Sequence, residues 1–116
     1  MCILIHVSDT SLRPCLFHGL ADPSRLRILE ALTDGSRRVS DIVEATGLSQ
    51  PNASMHLACL FDCGLVDRER RGREVHYRLA AGVAPLLRAA DALLDRAGDR
   101  ISGCERYGAG RARAVA

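Results

Sequence analysis

The chain has 116 residues, the size of one domain, and its 47% apolar and 3% aromatic content implies a core of Leu, Val, Ile and Ala. A formal charge of +2 does not by itself announce a nucleic-acid partner, although all 16 basic residues are arginine, the side chain that forks onto phosphate oxygens. The apolar runs are too short to span a bilayer, and residues 1–7 lack the basic flank and cleavage site of a signal peptide. No membrane partner and a cytoplasmic location are therefore expected. Five cysteines there point to metal binding, redox chemistry or burial rather than to disulfides.

Residues 1–10 carry no periodicity and read as a loose arm of a single 1–116 domain. A short helix is expected over 11–20, starting near Pro14, with Cys15 packed on it. Asp22-Pro23 is a helix start, a cap followed by proline in the first turn, and Leu26, Ile28, Leu29 and Leu32 supply its apolar face up to Asp34-Gly35. Arg37 and Arg38 fall in a linker. Ser40 is placed to cap a short helix over 41–46 with Ile42, Val43 and Ala45 facing inward. Gly47-Leu48-Ser49 is a tight turn, and Ser49 with Pro51 opens the next helix, which Gly64 closes. Two short helices around a glycine-bearing turn form the helix-turn-helix pattern.

Beyond Gly64 the period becomes alternating. Residues 65–70 and 74–79 read as two strands around Arg71-Gly72-Arg73, the wing of a winged helix. Residues 83–97 repeat apolar side chains at three- and four-residue steps, a long helix whose apolar face exceeds what so small a core needs. Part of that face is assigned to a dimer interface. Residues 98–116, rich in Gly and Arg, read as a flexible tail bearing Cys104. The expected fold is mainly α with a small β-hairpin, a homodimeric winged helix-turn-helix.

In that fold the second helix of the pair enters the major groove and the hairpin lies along the backbone. Gln50 and Asn52 can pair bidentately with adenine, Ser49, Ser54 and His56 can reach base edges or phosphate, and Arg68, Arg70, Arg71 and Arg73 can contact phosphates. Arg37 and Arg38 can add to these. On the same helix Cys59 and Cys63 stand at i and i+4, one face, with β-carbons roughly 5–6 Å apart. Two thiolates on one face suit soft or borderline ions such as Cd(II), Pb(II), Hg(II), Cu(I), Zn(II) or As(III), with Cys104 as a third donor. Burial of the pair as small hydrophobes is the alternative. No P-loop, dinucleotide fingerprint, HExxH, nucleophile elbow or Cys-x-x-Cys is present, and His18 near Cys15 has no oxyanion element beside it, so no enzyme is expected.

Ala21-Asp22-Pro23-Ser24-Arg25-Leu26-Arg27-Ile28-Leu29 resembles the ADPxRxxIL signature of the ArsR/SmtB family of metal-responsive repressors. Residues 47–57 resemble that family's recognition-helix pattern, and the likeness covers about 16–97. Residues 57–66 are similar to the CmtR-type Cd(II)/Pb(II) sensors, which set a Cys-x3-Cys pair in the recognition helix and complete the site with a tail cysteine, here Cys59, Cys63 and Cys104. Residues 39–46 lack the family's Cys-x-Cys box, and residues 83–97 lack the histidine of its zinc site. Cys2 and Cys15 lie outside the pattern and leave room for As(III) or Hg(II). The resemblance implies a homodimer that holds double-stranded operator DNA while metal-free and releases it on binding Cd(II) or Pb(II). Release by Hg(II), As(III) or Zn(II), or by thiol oxidation, is the alternative.

Overall fold

Local capping chemistry marks most of the element boundaries in this computed structural model, which describes residues 9–104. Helix α1 (Asp9–Leu20) begins within the expected loose arm and continues through Pro14, and Cys15 on it is exposed rather than packed. Helix α2 (Pro23–Ala31) starts where Asp22 accepts a hydrogen bond from the Arg25 amide at 2.9 Å, with Pro23 in its first turn. Its phase buries Ile28 and Leu29 completely, and Leu32 at its C-cap is 2% exposed.

Arg37 and Arg38 do not form a linker. They make a two-residue strand, β1 (Arg37–Arg38), paired antiparallel with β3 through Arg37↔Tyr77 and Arg38↔His76. An extended pair between a glycine turn and a helix gains ladder hydrogen bonds by joining the sheet edge, and two residues are too few for alternation to show. Helix α3 (Val39–Thr46) follows at once, so Arg38, not Ser40, is the N-cap residue, and the Asp41 carboxylate accepts from its amide at 3.4 Å. The helix turns inward on Ile42 and Thr46, an i,i+4 pair, which leaves Ala45 exposed instead of buried.

Gly47 caps α3 at φ 75°, a left-handed conformation that costs an L side chain roughly 1–2 kcal/mol. Helix α4 (Gln50–Asp62) then opens on Ser49, whose hydroxyl oxygen accepts from the Asn52 amide at 3.3 Å. Strands β2 (Val66–Arg71) and β3 (Glu74–Leu79) form the hairpin, in register from Val66↔Leu79 to Arg71↔Glu74, and the sheet order is β1-β3-β2. Helices α2, α3 and α4 pack on one another around Ile28, Leu29, Ile42, Ala53, Leu57 and Leu60. Full burial of each larger aliphatic side chain contributes about 1.5–3 kcal/mol. Val66 at the root of the wing is 1% exposed and Tyr77 9%.

This unit ends at Ala81, and a second begins at Gly82. The second contains helix α5 (Val83–Ser102), five residues longer than the expected 83–97, running through Gly98. It buries Val83 and exposes Leu93, Leu94 and Ile101. None of the described helices is long and apolar enough to cross a membrane.

Candidate nucleic-acid interface and thiol pair

Helix α4 divides by face. Ala53, Leu57 and Leu60, at i, i+4 and i+7, are buried, while Asn52 and Ser54 are exposed on either flank of that stripe and Gln50 is exposed in the first turn. Ser49 has its oxygen engaged at the cap, and His56 is half-buried at the border of the two faces. Met55, 59% exposed beside Ser54, belongs to this surface and was missed by the sequence reading. The signal lay in the phase, because a residue two after Ala53 and two before Leu57 must face out. Its apolar side chain suits a thymine methyl rather than a hydrogen-bonding edge.

Thr46 sets the angle between α3 and α4. Its hydroxyl donates to the Ile42 carbonyl at 2.7 Å and accepts from the Leu48 amide at 3.3 Å. Its own carbonyl accepts from Arg27 Nη1 at 3.4 Å. One buried side chain thus ties the turn to the helix before it, while its backbone is tied to α2.

The wing arginines differ in what they touch. The Arg68 guanidinium lies 3.9 Å from the centroid of the Phe61 ring, stacked on the end of α4. Arg70 donates from Nε to the Gly72 carbonyl at 3.3 Å, and Arg71 pairs with Glu69 at 3.6 Å. Arg78 bridges Asp67 at 4.0 Å and Glu69 at 3.6 Å across the hairpin. Arg73 is exposed beside the turn. Arg38 is bound by both Asp41 and Glu74. Its hydrogen bonds hold both carboxyls below their usual range, and the pairing raises the guanidinium's own pKa.

The thiol pair sits on the last turn of α4. Cys59 is half-buried with a free thiol, and Cys63, the exposed C-cap residue, donates its amide to the Cys59 carbonyl at 2.9 Å. The turn between them is therefore regular helix, as the i,i+4 expectation requires. The Cys63 sulfur is disulfide-bonded, so a metal can take it only after reduction. Cys104 is a free, half-buried thiol whose amide donates to Ile101 at 3.2 Å, in the closing turn of α5 rather than along a loose tail. Among the described residues, no three His, Cys, Asp or Glu side chains converge as a metal site. The spacing of Cys59 and Cys63, one turn apart on a regular helix, is that of neighbours on one helix face, and reduced sulfur is a soft donor.

The family model for bacterial regulatory proteins of the arsR family matches residues 22–68, from the cap of α2 into the wing. A probable mercury resistance operon repressor of Streptomyces lividans is 45% identical over 69 residues, 60% of this chain and 54% of that protein. The regulator CmtR of Mycobacterium tuberculosis is 48% identical over 65 residues, 56% of this chain and 55% of its own length. The chain thus spans about half the length of these curated relatives. The solution structure of a homodimeric winged helix-turn-helix DNA-binding domain of Mb0332 from Mycobacterium bovis, described as a possible ArsR-family regulator, superimposes with TM-score 0.68. That match has 31% identity and covers 84% of this chain and 95% of that one. The relatives are regulators and repressors by name, not enzymes. The capped α2, the helix-turn-helix and the wing are those of the ArsR family of bacterial regulatory proteins, to which this chain belongs.

Proposed function

We propose that the chain is a metal-responsive transcriptional repressor, a homodimer that occupies operator DNA when metal-free and leaves it when Cys59, Cys63 and Cys104 take up a soft ion. One observation carries the reading: α4 is a single uninterrupted helix with an exposed polar face in its first turns and the two cysteines at its end. A rod this short transmits a tilt at one end to the other. Gln50, Asn52 and Ser54 read the major groove, Ser49 and His56 flank them, and Arg68, Arg70, Arg71 and Arg73 run along the phosphates. The apolar surface of α5 at Leu93, Leu94 and Ile101 joins the two copies, in keeping with the homodimeric relative. Action on DNA places the protein in the cytoplasm.

Thiolates supply soft, negatively charged sulfur, which suits Cd(II), Pb(II), Hg(II), As(III) and Zn(II) alike. The resemblance of residues 57–66 to the CmtR-type Cd(II)/Pb(II) sensors favours the first two, and the likeness to a mercury resistance operon repressor keeps Hg(II) in view. Ultraviolet thiolate-to-metal charge-transfer titration of the reduced protein with each ion tests the assignment. Saturation at one ion per thiol set is expected, with the signal reduced in Cys59→Ser and in Cys104→Ser. A signal unchanged in Cys59→Ser would refute it.

A second reading is favoured by the disulfide on Cys63: oxidation of that sulfur, rather than a metal, releases the operator. Release by peroxide from metal-free protein, with none by Cd(II), would select it.

A further inference from the structure

We propose that Arg38 is a positioning residue that sets the wing against the helix pair, and that Glu74 supports DNA binding through it despite carrying a negative charge. The inference rests on the DNA-binding reading above. Arg38 lies opposite His76 in the β1–β3 ladder, and Glu74, two residues before His76, shares its face of the sheet. A diagonal neighbour of this kind lies within reach of a long side chain. Arg38 Nη1 donates to Glu74 Oε2, while Nε and Nη2 donate to the Asp41 carboxylate at 3.3 and 3.4 Å. One planar fork therefore joins the turn end of β3 to the first turn of α3, and α3 packs on α4.

Arg38 and Glu74 keep 43% and 48% of their side-chain surface exposed, and ion pairs of that exposure add little to stability. What the fork contributes is an angle. Three chain segments meet at one guanidinium, which only arginine can offer to two carboxylates at once. Glu69 is the natural comparison, because its partners, Arg71 and Arg78, both belong to the hairpin and tie it to nothing else.

Simple electrostatics predicts that removing either carboxylate from a DNA-facing hairpin tightens binding. The fork predicts opposite signs. Operator affinity of the reduced, metal-free full chain is measured by fluorescence anisotropy on a duplex recovered from a random-sequence library. Glu69→Gln is expected to bind about two- to fivefold tighter than wild type, having freed Arg71 and left Arg78 with Asp67 alone. Glu74→Gln, and Arg38→Lys, which keeps the positive charge but not the fork, are expected to bind at least about threefold more weakly, with melting temperatures within about 2 °C of wild type. The proposal is overturned if Glu74→Gln tightens or leaves affinity unchanged, if Arg38→Lys binds like wild type, or if either variant melts more than about 5 °C lower. Failure of the wild type itself to select any duplex would instead strike the DNA-binding reading.

Discussion

Replacing Thr46 by valine keeps the shape of a residue only 9% exposed and deletes one hydroxyl. Two hydrogen bonds go with it, the 2.7 Å bond to the Ile42 carbonyl and the 3.3 Å bond from the Leu48 amide. The Ile42 carbonyl belongs to a helix and has other partners, but the Leu48 amide sits in the turn and loses its acceptor. An orphaned, partly buried amide costs about 1–3 kcal/mol, more than the net value of an ordinary hydrogen bond. For a domain near 100 residues each kcal/mol lowers Tm by roughly 4–8 °C, so Thr46→Val is expected to melt about 4–24 °C below wild type. Thr46→Ser, which keeps the hydroxyl and gives up a methyl group, should lose only about 1 kcal/mol. Thermal denaturation followed by circular dichroism decides between them. If Thr46→Val is as stable as Thr46→Ser or better, the hydroxyl does not hold the turn and the account of the α3–α4 angle is wrong.

Two glycines should respond with opposite signs: Gly47→Ala forces alanine to φ 75° and should cost about 1–2 kcal/mol, although its Cβ would meet nothing within 4 Å. Gly98→Ala, within α5 and equally open, should stabilise by about 0.5–1 kcal/mol, and paired melting curves read both. The carboxyls of Asp41 and Glu74 are held below their usual range chiefly by hydrogen bonds from Arg38, with Arg37 beside Asp41 and His76 beside Glu74 adding to the effect. A depressed folded-state pKa contributes stability that is fully present above the unfolded value, so this contribution is lost as the pH falls below about 4 and through the lowered values. The Tm difference between wild type and an Asp41→Asn, Glu74→Gln double variant should therefore shrink on acidification below about pH 4; growth there would contradict the sign. Arg73→Ala should lower the slope of log affinity against log salt by about 1, with an unchanged slope showing that this side chain touches no phosphate.

What could be read from the residues alone was the chemistry that acts over three or four positions. Asp22-Pro23 and Ser49 with Pro51 mark the starts of α2 and α4 because a cap needs only its own side chain and the amide three residues on. Cys59 and Cys63 share a face for the same reason. The strand β1 escaped because its two residues have no period of their own and are defined by Tyr77 and His76, some forty positions away. Ala45 and Thr46 exchanged places because a helix as short as α3 tolerates either phase until α2 and α4 fix it, and a hydroxyl bonded to Ile42 is at no disadvantage inside. The end of α5 lies past Gly98 because one glycine costs a helix only about 1 kcal/mol. No local rule relates Cys104 to Cys59 and Cys63, since residues on distant segments share no period.

The direct test of coupling between thiols and operator is release by Cd(II) from reduced protein, followed by anisotropy of a selected duplex, in wild type and Cys59→Ser side by side. A coupling free energy of about 1–3 kcal/mol predicts that Cd(II) weakens wild-type binding roughly 5- to 150-fold, while Cys59→Ser binds the duplex normally and ignores the ion. Wild type that keeps its grip on DNA when loaded with Cd(II), or Cys59→Ser that lets go equally well, would contradict the claim that filling one end of α4 disturbs the other.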